Sequence, residues 1–175
     1  MMNRQTLDMI WDHLRQMNGI TLRLIDAVPA EQLDAHPIPN MRTPKELIVH
    51  LYGMSIRAMA EGIASGEIHD AGDEKLAAGI RTKDDLLRFC DESWKAADKA
   101  LKGVTDAQLN SRVRHPWGGD PMPAAVIVNA IRDELTHHRG QLFAYVRALG
   151  GEVPMMWDFE HNAPEYQPKP QPAKV

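Results

Sequence analysis

The sequence predicts an all-α protein, a four-helix bundle with long interhelical loops and a proline-rich C-terminal tail. Four long segments carry apolar residues at intervals of three and four, which places those residues on one face of a helix. No segment shows the strict alternation of apolar and polar residues that indicates a β-strand, so we expect no sheet. The 175 residues are enough for one domain with a sizeable core.

Amino-acid composition argues against nucleic-acid-binding, secreted and membrane-spanning proteins. The chain is 43% hydrophobic and 25% charged with a formal net charge of −4, as in an ordinary soluble protein. The mildly acidic balance and the absence of a basic run argue against a nucleic-acid partner. The N-terminal residues lack the apolar core of a signal peptide, and no apolar run approaches membrane-spanning length. We therefore expect a cytoplasmic protein without a membrane partner, and the single cysteine, Cys90, excludes an internal disulfide.

The first helix is predicted to run from Gln5 to Val28 and to end at Pro29, before a short turn that reaches Leu33. Its apolar face repeats with nearly heptad spacing, at Leu7, Ile10, Leu14, Met17, Thr21, Leu24 and Val28. A loop marked by prolines follows and leads to the second helix.

The second helix has a strong start signal. Thr43 is suited to cap it, Pro44 suits the first helical position, and Glu46 stands three residues after the cap. The helix is predicted to continue to Ser65 and to stop at Gly66.

Two more helices complete the predicted bundle. A polar, glycine-rich surface loop is expected over 67–81, after which Thr82 caps a third helix that ends near Lys102. The fourth helix is predicted over Pro123–Leu149. Gly140 lies within it and costs about 1 kcal/mol relative to alanine, so we expect another element to approach closely there.

The bundle domain is assigned to residues 1–153 and a C-terminal extension to residues 154–175, which hold several prolines and little periodicity. Four large apolar residues of the extension are expected to pack on the bundle or on a second subunit: Met155, Met156, Trp157 and Phe159. This cluster predicts a homodimer. Beyond Tyr166 the composition is that of a tail.

Two ionisable residues lie on the apolar face of the fourth helix. Glu134 is three residues after Ile131, and His138 is four residues before Leu142, so both side chains are directed toward the bundle interior. They stand one helical turn apart. Because charge is rarely buried without a partner, this pair requires a compensating group.

His50 has the equivalent place on the second helix, three residues after Leu47 and four before Met54. Two imidazoles and a carboxylate suit a divalent transition metal and leave coordination positions open for water or substrate. The spacing therefore predicts a metal site of His50, Glu134 and His138. It also allows a simpler structure, in which Glu134 and His138 form a buried hydrogen bond and His50 is an independent core residue.

A rival pair with the same spacing, Asp133 and His137, lies along a different line of the fourth helix. That line carries small and polar residues, so we place the pair on the flank of the helix. Because consecutive residues turn by about 100° around a helix, His137 and His138 cannot both point into the core.

The fourth helix carries a motif that is found in a known family. The string His137-His138-Arg139-Gly140-Gln141-Leu142, followed by Tyr145-Val146-Arg147-Ala148-Leu149-Gly150, resembles the last-helix signature of the DinB-like superfamily. The segment from Pro44 to Leu51 resembles the second helix of that family, which carries a ligand histidine. The resemblance extends over most of the chain, from the first helix to Val153.

The resemblance implies a metal-binding four-helix bundle, often dimeric, whose members usually present three histidines to zinc or nickel. His50 and His138 match two of those ligand positions, and Glu134 stands where the family usually has the remaining histidine. The carboxylate preserves a ligand but changes its charge and hardness. Zinc or nickel is therefore the expected metal, and iron is a further candidate.

The resemblance also implies a range of activities, because some members are thiol-dependent transferases or isomerases and others are associated with hydrolysis. We expect a metal-dependent hydrolase or a thiol S-transferase that acts on a small-molecule substrate, with a low-molecular-weight thiol as the partner in the second case. The alternative is a non-catalytic stress-associated or binding protein whose metal site is structural or empty. No catalytic residue beyond the three ligands can be assigned from the sequence.

Overall fold

The computed structural model describes residues 2–169. Along them the helices are α1 (Arg4–Ala27), α2 (44–65), α3 (Asp73–Ala78), α4 (Lys83–Lys102), α5 (Asp106–Leu109) and α6 (Ala124–Ala148). The four long helices, α1, α2, α4 and α6, pack around one shared hydrophobic core. The predicted helical bundle is therefore confirmed, and the predicted site residues lie on helices that share this core.

Helix α1 begins after Asn3, whose side chain accepts a 2.9 Å hydrogen bond from the backbone NH of Thr6. This cap starts the helix one residue earlier than predicted, and the chain leaves the helix before Pro29. The predicted apolar face is buried, apart from the half-buried Ile10. A short 3₁₀ helix, Ala30–Gln32, forms the predicted turn.

Helix α2 starts with the predicted capping box. The Thr43 hydroxyl accepts from the NH of Glu46 at 3.2 Å, and the Glu46 carboxylate accepts from the NH of Thr43 at 2.8 Å. The helix ends at Gly66, which adopts the left-handed conformation with φ of 90°. Nearly every residue from Leu47 to Met59 is buried, since this helix runs through the middle of the bundle.

The middle of α2 is wider than an α-helix. The α-helical segment Pro44–His50 passes into a π-helical segment, Leu51–Ala58, and α-helix resumes over Met59–Ser65. Backbone hydrogen bonds in a π-helix span five residues instead of four, and such segments are frequent at functional sites. Periodicity in the sequence did not reveal this change of register.

Two of the long loops contain structure that the sequence did not predict. The expected surface loop at 67–81 includes the six-residue helix α3, which begins after Gly72, a glycine with a positive φ of 82°. The strand β1 (Arg112–Val113) pairs in antiparallel fashion with β2 (Met122–Pro123), so the expectation of no sheet is wrong for this small ladder. Elements of two to six residues are too short to show a periodic pattern.

Helix α6 begins after Pro123 and ends at Ala148, one residue inside the predicted limit at each end. The expectation for Gly140 is wrong. It is exposed, and within residues 2–169 no atom from another element lies within 4 Å of the position that a Cβ would take. Gly140 faces open space, so this sequence position is not explained by close packing.

The outer faces of the long helices carry paired charges. On α4, Lys95 pairs with Asp91 and Lys102 with Asp98, each with a nitrogen–oxygen distance of 2.6 Å. Such pairs at the surface contribute little to stability, because solvent screens the charges. Among the helices of residues 2–169, none has the length and apolar composition needed to cross a membrane.

The C-terminal extension packs along α1 as far as it is described. Tyr166 is 5% exposed and stacks edge-on against Trp94, and the Asn162 amide donates to the carbonyl of Gln16 at 2.9 Å. Gly19 permits this packing, because a Cβ there would lie 2.5 Å from the Asn162 side chain. The end of the predicted tail, 170–175, lies outside the described residues.

The four apolar residues singled out in the extension differ in burial. Phe159 packs against the core and contacts the ring of His13 edge-on. Met155, Met156 and Trp157 are exposed by 63%, 44% and 57%. The extension therefore covers part of the bundle and leaves an apolar surface uncovered in the single chain.

Candidate metal centre

The structure brings the three predicted ligands, His50, Glu134 and His138, to one place between α2 and α6. One ligand atom from each residue lies within 4.8 Å of the others. His138 is buried, and the other two side chains are half-buried. His50 ends the first α-helical segment of α2, while Glu134 and His138 stand one turn apart on α6.

Both imidazoles face the same carboxylate oxygen. Oε2 of Glu134 lies 3.0 Å from Nε2 of His138 and 3.8 Å from Nε2 of His50. The two rings are almost perpendicular, with an interplanar angle of 88° and centroids 5.3 Å apart. The three donor atoms therefore surround a common point, as the ligands of one ion do.

A second set of side chains determines which imidazole nitrogen carries a proton. Nδ1 of His50 lies 2.8 Å from Oδ2 of Asp73, and Nδ1 of His138 lies 2.6 Å from Oε1 of Gln141. Each of these oxygens is an acceptor, so each Nδ1 donates. In a neutral ring this leaves Nε2 with its lone pair directed at the carboxylate, the arrangement typical of histidines that bind metals.

This donor set fits a cation. Two Nε2 lone pairs and an ionised carboxylate repel one another unless a positive charge lies between them. A proton on His138 is disfavoured, because burial lowers the pKa of that imidazole, although Gln141 and Glu134 oppose the shift. Two imidazoles and one carboxylate are a ligand set that zinc, nickel and iron accept.

Ser55 forms a further hydrogen bond to the carboxylate of Glu134. Its buried hydroxyl donates to Oε2 of Glu134 at 3.0 Å. Ser55 is five residues after His50, which in an α-helix corresponds to a rotation of roughly 140° away from it. The π-helical register of α2 brings residues five apart closer to the same side, so His50 and Ser55 both reach Glu134.

The rival pair lies outside the centre, as its flank position predicts. His137 and Asp133 are both exposed, and the Asp133 carboxylate pairs with Arg132 at 3.2 Å. The ring of His137 lies beside that of His138, with centroids 4.9 Å apart, but His137 is not among the grouped donors.

Sequence reasoning missed the supporting side chains. Gln141 had a local signal, since it stands three residues after His138 on the same helix. Asp73 had none, because it follows His50 by 23 residues in a segment read as surface loop. Ser55 could not be predicted for another reason: in a regular α-helix its side chain would point away from the centre.

A cavity of about 290 Å³ reaches the buried centre at His138. Its wall also includes Gln141, the apolar Met41 and Leu47, and the exposed Arg42 and His137. The cavity therefore gives small molecules access to the His138 edge of the centre, along one side of α6. Accessibility of this kind is typical of catalytic metal sites and is not required of structural ones.

Comparisons with solved structures identify the fold. A DinB-like protein from Bacillus subtilis matches with a TM-score of 0.68 and 21% identity, over 85% of this chain and 96% of that chain. A DinB-like protein from Bacillus cereus matches with a TM-score of 0.64 and 21% identity, over 83% and 94%. A mycothiol-dependent maleylpyruvate isomerase matches with a TM-score of 0.57 and 13% identity, over 95% and 69%.

The family follows from the sequence itself. No curated protein matches the chain. The sequence model of the DinB superfamily matches residues 13–142, a stretch that begins within α1 and contains all three grouped donors. The chain belongs to the DinB superfamily.

Proposed function

We propose that this protein binds a divalent metal ion through His50, Glu134 and His138 and uses it in a reaction of a small substrate, either hydrolysis or a thiol-dependent transfer. One observation carries the proposal: two imidazoles whose Nδ1 atoms donate elsewhere direct their Nε2 atoms at one carboxylate oxygen. Zinc and nickel are the metals expected, with iron as the third candidate.

Three side chains from the protein would leave coordination positions open for a substrate. An ion bound there supplies Lewis-acid activation of a water molecule or a thiol. The chain itself holds the ligands in orientation: Asp73 and Gln141 fix the imidazoles, and Ser55 fixes the carboxylate. This support reduces the reorganisation needed when a substrate binds.

A thiol-dependent reaction would need a thiol from outside the chain. Cys90 is fully buried in the core, and burial raises its pKa well above the ordinary value, so it stays protonated and inaccessible. A low-molecular-weight thiol is therefore the partner that we propose for this branch. The mycothiol dependence named for one similar structure supports it.

Metal content of variants tests the assignment. The protein is purified without a histidine tag, supplemented with zinc, nickel or iron, and analysed by mass spectrometry for bound metal. His50→Ala, Glu134→Ala and His138→Ala should each lose most of it, whereas His137→Ala, the matched control, should retain it. Metal loss in His137→Ala with retention in His138→Ala would place the centre on the other face of α6.

A non-catalytic role is the second candidate, and one contact favours it. The 3.0 Å approach of Glu134 to His138 is also the geometry of a buried hydrogen bond within α6. If the site is empty, as this role allows, wild-type protein would bind none of the three metals, and Glu134→Gln would lower the melting temperature. If the site holds a metal, Glu134→Gln would instead lower the metal content strongly.

A further inference from the structure

We infer that Arg42 binds the carboxylate of a small anionic substrate in the cavity beside His138. The inference rests on the proposed function, since it concerns the substrate that would meet the same metal centre. The three metal ligands alone do not indicate which substrate binds or which residue recognises it. The inference names both: the substrate is a small carboxylate, and Arg42 recognises it.

Most hydrogen-bond donors of the Arg42 guanidinium are available to a ligand. Its side chain is 46% exposed, and within residues 2–169 its one ionic contact is to Oδ2 of Asp73 at 3.7 Å. That oxygen already accepts the 2.8 Å hydrogen bond from His50. By contrast, Arg23 donates to the carbonyl and the carboxylate of Asp158 at 2.9 and 2.8 Å. Arg42 therefore retains the planar pair of donors that matches a carboxylate.

The backbone that carries Arg42 is held in place. The hydroxyl of the buried Tyr145 on α6 donates to the Arg42 carbonyl at 2.7 Å. The next residue, Thr43, belongs to the capping box of α2, and the carbonyl of Met41 lies 3.0 Å from Nδ1 of His36. The guanidinium thus extends from a fixed base, which lowers the entropic cost of binding a ligand.

Charge decides on which side of Arg42 an anion binds. The neighbouring cavity, about 540 Å³, is lined by Arg42 together with three carboxylates, those of Glu46, Asp73 and Glu74. The 290 Å³ cavity that reaches His138 has Arg42 in its wall and no carboxylate among its lining residues. A carboxylate avoids the first cavity and is attracted to the second.

The volume and lining of the cavity at His138 limit the size and polarity of the ligand. The cavity volume of about 290 Å³ lies just below the roughly 300–1,000 Å³ that is usual for ligand sites, so it suits a small ligand. Met41 and Leu47 add apolar side chains to the wall that also contains Arg42 and His138. A ligand with a carboxylate at Arg42, a short apolar body and a reactive atom toward His138 satisfies all three features.

Thiol probes on cobalt-loaded protein test the inference. Binding of a thiolate to cobalt(II) produces a charge-transfer absorption, so 3-mercaptopropionate and its neutral analogue 3-mercaptopropionamide can be titrated in the same way. The acid should bind about tenfold tighter than the amide to wild type, as expected for one charge-assisted contact. Arg42→Met should remove this preference without changing the cobalt content.

The controls separate the inference from the function on which it rests. Arg132→Met, at an exposed arginine of α6 outside the cavity, should keep the preference. A preference that persists in Arg42→Met, or equal affinity of acid and amide for wild type, overturns the inference. If the protein binds neither cobalt nor zinc, nickel or iron, the proposed function fails. Saturation-transfer NMR with butyrate and butyramide on the metal-free protein then decides whether Arg42 selects the carboxylate.

Discussion

The hydroxyl of Ser55 donates a 3.0 Å hydrogen bond to Oε2 of Glu134, the oxygen toward which both imidazoles direct Nε2. The bond connects the π-helical part of α2 to the middle of α6, two elements that are 79 residues apart in sequence. It holds the carboxylate in one rotamer. Ser55 is thus the side chain through which the unusual register of α2 acts on the candidate centre.

Removing this hydroxyl should weaken metal binding. We predict that Ser55→Ala lowers metal affinity by about 10- to 100-fold, the usual effect of losing a group that orients a ligand. Competition with a chromophoric chelator measures the affinity. Ser93→Ala is the matched control, because Ser93 is also a buried helical serine and its hydroxyl has no hydrogen-bond partner within the described residues. Equal affinity of Ser55→Ala and wild type would contradict the assigned role.

The carboxylate of Asp73 should matter in the same way for His50. Asp73→Ala removes the acceptor of the Nδ1 proton, so the ring is free to rotate or change tautomer. We predict a loss of metal affinity of about tenfold or more, measured by the same competition. Glu74→Ala, at the next residue of α3, is the control and should leave the affinity unchanged. An effect of similar size in both variants would indicate that α3 acts through overall charge instead.

The extension should detach at alkaline pH because of Tyr166. Burial raises the pKa of this hydroxyl to about 12, from an ordinary value near 10. The folded state therefore favours the neutral form of Tyr166. The contribution of this residue to stability is complete below pH 10 and is lost between about pH 10 and 12, because only the unfolded chain ionises readily in that interval.

Tyr166→Phe isolates this effect, since phenylalanine cannot ionise. Tryptophan fluorescence, which reports the contact of Tyr166 with Trp94, should change between pH 10 and 12 in wild type. The variant should change less in that interval, although other tyrosines still titrate in both proteins. Identical alkaline transitions would show that Tyr166 does not control the release of the extension.

The uncovered apolar surface of the extension predicts a homodimer. Met155 and Met156 are exposed and adjoin Trp157, which itself lies 5.8 Å from the guanidinium of Arg139. Changing both methionines to serine removes apolar surface but keeps Trp157, and it should shift light-scattering masses toward the monomer. Trp117→Ser, at an exposed residue of a different loop, is the control. A monomeric wild type across a wide concentration range would disprove the dimer.

The sequence by itself determined the long helices and the direction of the site residues on them. The limits of α1, α2, α4 and α6 agree with the predicted limits to within one residue, because helical periodicity and capping residues act over a single turn. Glu134 and His138 share a face for the same reason, since a spacing of four exceeds one full turn by only about 40°.

Tertiary structure alone decided how these helices cooperate. Asp73 and Ser55 reach the centre only because a loop helix and a π-helical segment pack beside it. Arg42 lies in the wall of the cavity at His138 because the residues before α2 pack against α6. The exposure of Gly140 and the two-residue ladder likewise depend on which elements become neighbours. Contacts between distant residues arise from packing of the whole core. A pattern that repeats every 3.6 residues predicts only which face of a helix is buried, and therefore does not predict these contacts.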